Sequence, residues 1–377
     1  MKDRWTRREL LRGAALLGLG LIAEEVIRRM AVGEGKTVWA EGIPKTLEVR
    51  IPKDLVGGWI PGRHTKEDIG RLEDQQRIFH PAEILTVLEM VNWRSFTAEH
   101  ASNQRTQDCV PLAYTDALRT TGTVVTNGEY FKLGVPNQPT GTEIDQLHVL
   151  NPRAIEATVG SGPMMLDQGA EALDAVGICR NLLVKNYMEG SNLDPLSPEQ
   201  IIEARRLIPS KTEMVFDTHI DASAEESIAK MEAAIAQGPV VLGFPWYWSL
   251  LDSSGSIEWK DDMLVPQEEE VSLAGHAVQL VGYDRNRVGE NGNAGAMLCR
   301  FAWDDWFPYG ADPDLGIPED AKGFIWMPYD FVRFCHRRGE WVDCWRAEYK
   351  NGREQGFWPT GPELPVQRIF LPLVIKS

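Results

Sequence analysis

Two residues that could form a nucleophile–base pair lie far apart in this sequence, Cys109 and His276. A cysteine reacts as its thiolate, and its pKa falls at a helix N-terminus or beside an imidazolium. Cys109 is followed by Val110-Pro111-Leu112, and proline is well tolerated in a first helical turn, so Cys109 is predicted to begin a helix. His276 begins an apolar run and has the small neighbours Gly275 and Ala277. The pair predicts a thiol-dependent reaction if the fold brings the two residues together.

The elements that must position this pair are predicted in two halves of the chain. Helical spacing of apolar residues occurs from 84 toward 93, from 109 to 122, across 170–183 and 198–207, and at 222–237. After Gly238-Pro239, short apolar runs at 240–244, 277–283 and 297–303 alternate with turn residues and predict strands. A helical half followed by a strand-rich half indicates an α+β fold with two lobes.

The first 40 residues have the layout of an export signal. Arg7-Arg8 precede an apolar run from 13 to 23, which is typical of a twin-arginine signal and too short to be a stable transmembrane helix. We predict a signal peptide over 1–40, cleaved near Val38-Trp39-Ala40 or kept as an anchor, with an amphipathic helix as the alternative. The expected partner is the twin-arginine export machinery, the expected membrane contact is transient, and the expected location is outside the cytoplasm.

Residues 41–87 are rich in glycine, proline and charge, and we predict an irregular arm or a pro-segment there. The remainder, 88–377, is predicted to form the functional domain.

The composition excludes several classes of protein. The formal charge of −16 opposes binding to a phosphate backbone, so nucleic acid is not an expected partner. The sequence has no dinucleotide, iron–sulfur or zincin motif, and Cys335-His336 with Cys344 is spaced too irregularly to predict a metal site. No cofactor is therefore expected. Five cysteines leave at least one thiol unpaired within the chain, and the four besides Cys109 allow three full pairings.

Four stretches, taken in order, resemble the papain-like cysteine peptidases. Val91-Asn92-Trp93-Arg94 resembles the start of the mature enzymes, and the segment from Gln104 to Cys109 resembles the one that carries the oxyanion glutamine and the nucleophile. Residues 228–244 resemble the late helix and the strand after it. Gly275-His276-Ala277-Val278 resembles the catalytic histidine strand. The resemblance covers about 88–335 and implies a two-lobe fold, with a helical N-terminal lobe and a β-rich, barrel-like C-terminal lobe.

The resemblance also implies a role for each site residue. Cys109 would attack the scissile carbonyl as a thiolate, and His276 would hold the imidazolium and protonate the leaving amine. Gln104 would donate its side-chain amide to the oxyanion together with the Cys109 N–H. Gln104 lies one residue closer to the nucleophile than is usual in the family, and Gln107 is the alternative donor.

Two positions depart from the family pattern. Asp108 precedes the nucleophile and would disfavour its thiolate. The asparagine that orients the histidine is replaced by Phe301, which has no hydrogen-bonding group; Asp304 or Asp305 could substitute for it. The resemblance implies a thiol peptidase acting on peptides or proteins, and the N-terminal signal predicts that it is exported. The alternatives are a catalytically impaired protein that binds a peptide or partner protein in the same cleft, and a cysteine-dependent acyltransferase or amidase.

Overall fold

The computed structural model describes residues 58–81, 88–94, 97, 104, 107–125, 150–151, 153–160, 162–180, 196–206, 208–250, 263–289, 292–302 and 323–348. The predicted signal, both ends of the predicted arm (41–57 and 82–87), and the candidate orienting residues Asp304 and Asp305 lie outside these described residues. Within the described ranges, no helix combines the length and the apolar character that crossing a bilayer requires.

The helices are α1 (Lys66–Asp74), α2 (Cys109–Val125), α3 (Arg153–Val159), α4 (Leu166–Val176), α5 (Pro198–Arg206), α6 (Ala224–Ile235) and α7 (Tyr329–Arg338). The strands are β1 (Met90–Asn92), β2 (Leu150–Asn151), β3 (Cys179–Arg180), β4 (Lys211–Asp217), β5 (Val240–Tyr247), β6 (Ser272–Val288), β7 (Ala294–Arg300), β8 (Phe324–Pro328) and β9 (Asp343–Glu348). One 3₁₀ turn, Trp248–Leu250, follows β5.

Local sequence explains several of the helix ends. α1 begins with a capping box, in which the Thr65 side chain accepts from the Asp68 N–H and the Asp68 carboxylate accepts from the Thr65 N–H. At α6, Ser223 caps the first turn, which carries two glutamates. α7 ends at Gly339, whose left-handed φ of 62° suits a residue without a Cβ.

The main sheet is antiparallel, with the strand order β4-β9-β5-β6-β7-β8. β1 pairs with the far end of the long strand β6, and β2 and β3 form a separate antiparallel pair. The β5–β6 register places Phe244 opposite His276 and Gly243 opposite Ala277. Since successive residues of a strand point to opposite faces, His276 and Ala277 face opposite sides of the sheet.

Each face of the sheet carries its own apolar core. One core contains Phe244, Phe301 and Val278 with residues of α6 and α7; the other contains Val241 and Ala277 with residues of α2 and α4. Helices therefore pack on both faces of the sheet, α2 and α4 on one face and α6 and α7 on the other. The α+β class and the two-part organisation agree with the prediction.

The expected barrel-like closure is wrong for the described residues, because the sheet is open. Its edge strands are β4 and β8, and they do not pair with each other. Main-chain groups of the N-terminal arm occupy the outer edge of β4, since the Phe79 N–H donates to the Met214 carbonyl and the Met214 N–H donates to the Arg77 carbonyl. The arm therefore takes the place that a closing strand would need.

Two local predictions also change. The arm contains helix α1, and the end of the helical pattern predicted from 84 to 93 is strand β1, which β6 holds through main-chain pairing. α2 runs to Val125 and so passes through Gly122, where its end was predicted.

Candidate active site

Cys109 is the first residue of α2, as predicted, and its side chain is fully buried. The helix packs against β5, β6 and β9, and this packing brings its first turn to the strand that carries the histidine. The backbone N–H of Ala277 donates toward the Cys109 sulfur. The structure therefore brings the predicted nucleophile to the peptide unit that joins His276 to Ala277.

The Cys109 thiol is protonated in this form of the protein. Burial raises its pKa to about 12, and the charge of Asp108 acts in the same direction. The backbone N–H groups of Ala277, Val110 and Cys109 itself oppose the rise without cancelling it. The expected effect of Asp108 on the thiolate therefore agrees in direction with the structure, although burial is the larger cause.

His276 is also neutral here, because full burial lowers its pKa to about 3. Its ring lies among aromatic side chains. Phe244 and Trp246 meet it edge-on, at centroid distances of 6.1 Å and 5.6 Å. The thiol and the imidazole are therefore both neutral, and they do not form the ion pair that a cysteine nucleophile needs.

Phe301 lies where the resemblance placed it. Its ring stacks on the His276 imidazole with a centroid distance of 5.5 Å and an interplanar angle of 9°. The phenyl ring packs against the imidazole, but it has no hydrogen-bonding group that could set the tautomer of the imidazole. The structure thus puts an apolar side chain at the predicted orienting position.

Gln104 joins the same site from the chain segment before α2. It is 1% exposed, and its backbone N–H donates to the carbonyl of Ala302, the residue after Phe301, at 2.6 Å. The three segments that carry Cys109, His276 and Gln104 therefore meet at the junction of α2 with β6 and the end of β7. The side chains of Cys109 and His276 lie on opposite faces of the sheet, since Cys109 belongs to the core that contains Ala277, whereas the His276 ring packs against Phe244, Trp246 and Phe301 of the other core.

The N-terminal arm lies across the nucleophile. Gly58 is so close to Cys109 that a Cβ added there would lie 2.7 Å from both the Cys109 sulfur and the Gln107 carbonyl oxygen. The arm pairs here with Met164, since the Ile60 N–H donates to the Met164 carbonyl and the Met164 N–H donates to the Gly58 carbonyl, both at 3.0 Å. An extended peptide thus occupies the cleft beside the thiol, held by main-chain bonds.

Trp59 fills a pocket next to the nucleophile. Its indole packs on Gly243 of β5 and Gly275 of β6, where a Cβ at either glycine would collide with it. The indole N–H donates to the Asp343 carboxylate at 3.0 Å, and Trp59 is 1% exposed. The two glycines are therefore required by the close approach of this ring.

A buried ion-pair cluster anchors the arm five residues further on. The Nδ1 of His64 lies 2.8 Å from an Asp217 oxygen, and its Nε2 lies 3.7 Å from Asp167. Burial favours the neutral imidazole, but the interactions with Asp167, Asp217 and Asp343 outweigh it and raise the pKa of His64 to about 10. His64 is therefore a cation surrounded by three aspartates.

Further contacts hold the arm on both sides of His64. The Arg63 guanidinium lies 5.4 Å from the centre of the Trp341 ring, and Arg77 pairs with Asp174 at 3.1 Å. The residues from Gly58 to Phe79 are thus part of the packed structure.

Sequence reasoning missed Trp59, His64, Asp217 and Asp343. The local signal is weak: one tryptophan between Gly57-Gly58 and Pro61-Gly62. Its partner carboxylate is 284 positions away along the chain, so no spacing rule connects the two.

The described cysteines Cys109, Cys299, Cys335 and Cys344 are free buried thiols. Cys335 and Cys344 belong to the core, and within the described residues no group of three or more histidine, cysteine or acidic side chains could hold a metal ion.

Comparison with solved structures found xylellain, a cysteine protease from Xylella fastidiosa. It is 17% identical to this chain, and the match covers 78% of this chain and 97% of xylellain with a TM-score of 0.53. A recombinant stem bromelain precursor is 12% identical over 73% of this chain and 74% of its own, with a TM-score of 0.46. The proform of the ragweed cysteine protease Amb a 11 is 16% identical over 72% and 68%, also with a TM-score of 0.46.

No protein-family model matches the chain, and no curated protein matches its sequence. The fold assignment rests on xylellain, because the two other structures fall below a TM-score of 0.5. At 17% identity this match establishes the architecture and leaves the activity to be argued from the site. The chain has the fold of the papain-like cysteine proteases.

Proposed function

We propose that this protein is a latent thiol peptidase, which hydrolyses peptide bonds through Cys109 and His276 once the arm at Gly58–Ile60 is displaced. The observation that carries the proposal is the placement of Cys109. It begins α2 at the His276–Ala277 peptide, and an extended peptide segment of the chain itself lies across its sulfur.

The reaction follows from the groups at the site. Cys109 attacks the substrate carbonyl as a thiolate. The His276 ring has to turn from its aromatic neighbours toward the sulfur, and in its protonated form it then gives its proton to the leaving amine. Water then cleaves the thioester and releases the acid. The Cys109 N–H at the start of α2 and the side-chain amide of Gln104 stabilise the negative charge on the carbonyl oxygen in both steps.

Burial explains why the covered form is inactive. It raises the pKa of Cys109 to about 12 and lowers that of His276 to about 3, so each group stays neutral at physiological pH. Displacing Gly58–Ile60 admits water to the sulfur, which lowers the cost of the thiolate. The arm therefore blocks the cleft and also suppresses the nucleophile.

The experiment that tests this proposal is mass-mapped labelling with an epoxysuccinyl peptide probe. We expect slow labelling of the whole protein and rapid labelling of Cys109 in Trp59→Ala, which loosens the arm. His276→Ala in the Trp59→Ala background should remove the rapid phase, and Cys299 provides an internal reference for a buried thiol that is not a nucleophile. A folded Trp59→Ala variant whose Cys109 reacts no faster than Cys299 contradicts the proposal.

One observation favours a second function, the binding of a peptide without cleavage. Phe301 stacks on His276 and provides no group to fix its tautomer, and loss of such a group costs an acyl-transfer site orders of magnitude in rate. In that case a Trp59→Ala variant binds peptides in the cleft with no turnover. Product analysis also distinguishes hydrolysis from acyl transfer, since transfer to an added amine leaves an amide in place of the free acid.

We also propose that the protein is exported by the twin-arginine route through Arg7 and Arg8, and so meets peptide or protein substrates outside the cytoplasm. The residues that support this are the arginine pair and the short apolar run after it. Arg7→Lys with Arg8→Lys should keep the protein in the cytoplasm, as cell fractionation would show. Unchanged export of this double variant contradicts the proposal.

A further inference from the structure

The pocket filled by Trp59 has an unusual polar end. Its walls are the bare backbone of Gly243 and Gly275, which leave room for a large side chain. At its end is the Asp343 carboxylate, which is 0% exposed. Asp343 Oδ1 accepts the indole N–H of Trp59, whereas Oδ2 is buried and has no hydrogen-bond partner within the described residues.

A buried carboxylate oxygen without a partner is costly, so it calls for a reason. An indole has a single N–H and satisfies one oxygen only. A guanidinium group has donors arranged to satisfy both oxygens of a carboxylate at once. The pocket is therefore better matched to an arginine side chain than to the tryptophan that occupies it.

The charge around the pocket has the same implication. Burial is the main reason why the pKa of Asp343 is raised well above its ordinary value; the charges of Asp217 and Asp167 raise it further, and the nearby His64 cation lowers it. Three carboxylates thus surround one imidazolium, which leaves an excess of negative charge if all of them ionise. A cationic side chain entering the pocket would neutralise part of that excess.

We propose that the pocket beneath Trp59 is a specificity site that accepts a basic side chain of the substrate, arginine above all, with Asp343 as the recognising carboxylate. This inference rests on the proposed function, because it takes the arm as a stand-in for substrate. Gly58 lies against Cys109, and both main-chain groups of Met164 are paired with the arm. A substrate on the same path would place one side chain in this pocket, beside the bond that is cut.

Binding can be tested without any turnover. Trp59→Gly in the full chain empties the pocket, and the ligands are arginine amide and citrulline amide, which differ in charge and have nearly the same shape. We expect arginine amide to bind at least about tenfold more tightly in calorimetry, as charge-assisted pairs do. The difference should disappear when Asp343→Asn is added. Equal affinities for the two ligands, or an arginine preference that survives Asp343→Asn, overturns the proposal.

A second measurement applies if Trp59→Gly does not fold. Trp59→Arg and Trp59→Gln place a charged and a neutral side chain in the pocket from the arm itself. Urea denaturation should show the arginine variant to be the more stable of the two with Asp343 present, and this advantage should be lost with Asp343→Asn. No such coupling in the four variants contradicts the proposal.

The peptidase and the pocket can fail separately. Selective arginine binding together with no labelling of Cys109 leaves the pocket standing and refutes the proposed peptidase. Rapid, His276-dependent labelling with no arginine preference leaves the peptidase standing and refutes the pocket. When both hold, peptides carrying arginine at the pocket position should be cut at least about tenfold faster, by kcat/KM, than their citrulline counterparts.

Discussion

His64→Gln should remove a pH-dependent part of the stability. The pKa of His64 is about 10 in the folded protein against an ordinary value of 6.5. Because folding raises its pKa, protonated His64 stabilises the folded protein in full below pH 6.5, and this stabilisation is lost as the pH rises toward 10. At about 1.4 kcal/mol per pKa unit the ceiling is about 5 kcal/mol, and breaking a buried ion pair costs about 3–5 kcal/mol. We therefore expect His64→Gln to lower the free energy of unfolding by about 3 kcal/mol at pH 6.

The assay is urea denaturation followed by tryptophan fluorescence between pH 6 and pH 10. The wild type should lose stability relative to His64→Gln across that interval, so that the two curves converge at the alkaline end. His219→Gln is the matched control, because burial lowers the pKa of His219 and its contribution has the opposite sign. Parallel curves for wild type and His64→Gln would refute the assignment of His64 as a buried cation.

Three further predictions concern the nucleophile and its surroundings. Gly58→Ala forces a Cβ to within 2.7 Å of the Cys109 sulfur, so it should loosen the arm by about 1–3 kcal/mol and speed probe labelling of Cys109; an unchanged rate would contradict the contact. Phe301→Asn restores an amide beside His276 and should raise peptidase activity while lowering stability by about 3 kcal/mol, measured by turnover and melting; an unchanged rate would mean that another group orients the imidazole. Cys109→Ala should abolish hydrolysis with little change in melting temperature, and residual turnover equal to wild type would remove Cys109 from the mechanism.

The parts of the fold that could be predicted from the sequence are the elements with a clear periodic spacing of apolar residues. Helix α6, with its capped start and its stop at Gly238-Pro239, and strand β5 after it are both where the pattern put them. β1 was misassigned because it is a strand only through pairing with β6, whereas its apolar spacing suits a helix. The open sheet was unpredictable for the same reason, since the arm that occupies the edge of β4 carries no strand signal of its own.

The residues of the candidate site also fall into two groups, those that could be predicted from the sequence and those that could not. Cys109, His276, Gln104 and Phe301 come from segments whose residue order resembles a known family, and the structure brings these segments together. The contacts around Trp59 could not be predicted. They join the arm to strands β5, β6 and β9, and packing between such distant segments has no counterpart in local sequence.

In the proposed mechanism, the same carboxylate links latency to specificity. Asp343 holds Trp59 through one hydrogen bond and leaves a second oxygen unpaired, so the arm is bound less completely than an arginine would be. His64, five residues further along, pairs with Asp217, and we expect this pair to keep the arm attached to the domain when Trp59 leaves the pocket. A basic substrate can then compete with Trp59 for Asp343 while the rest of the arm stays anchored. On this view the inhibitory segment is displaced by substrate, and its removal by proteolysis is not required.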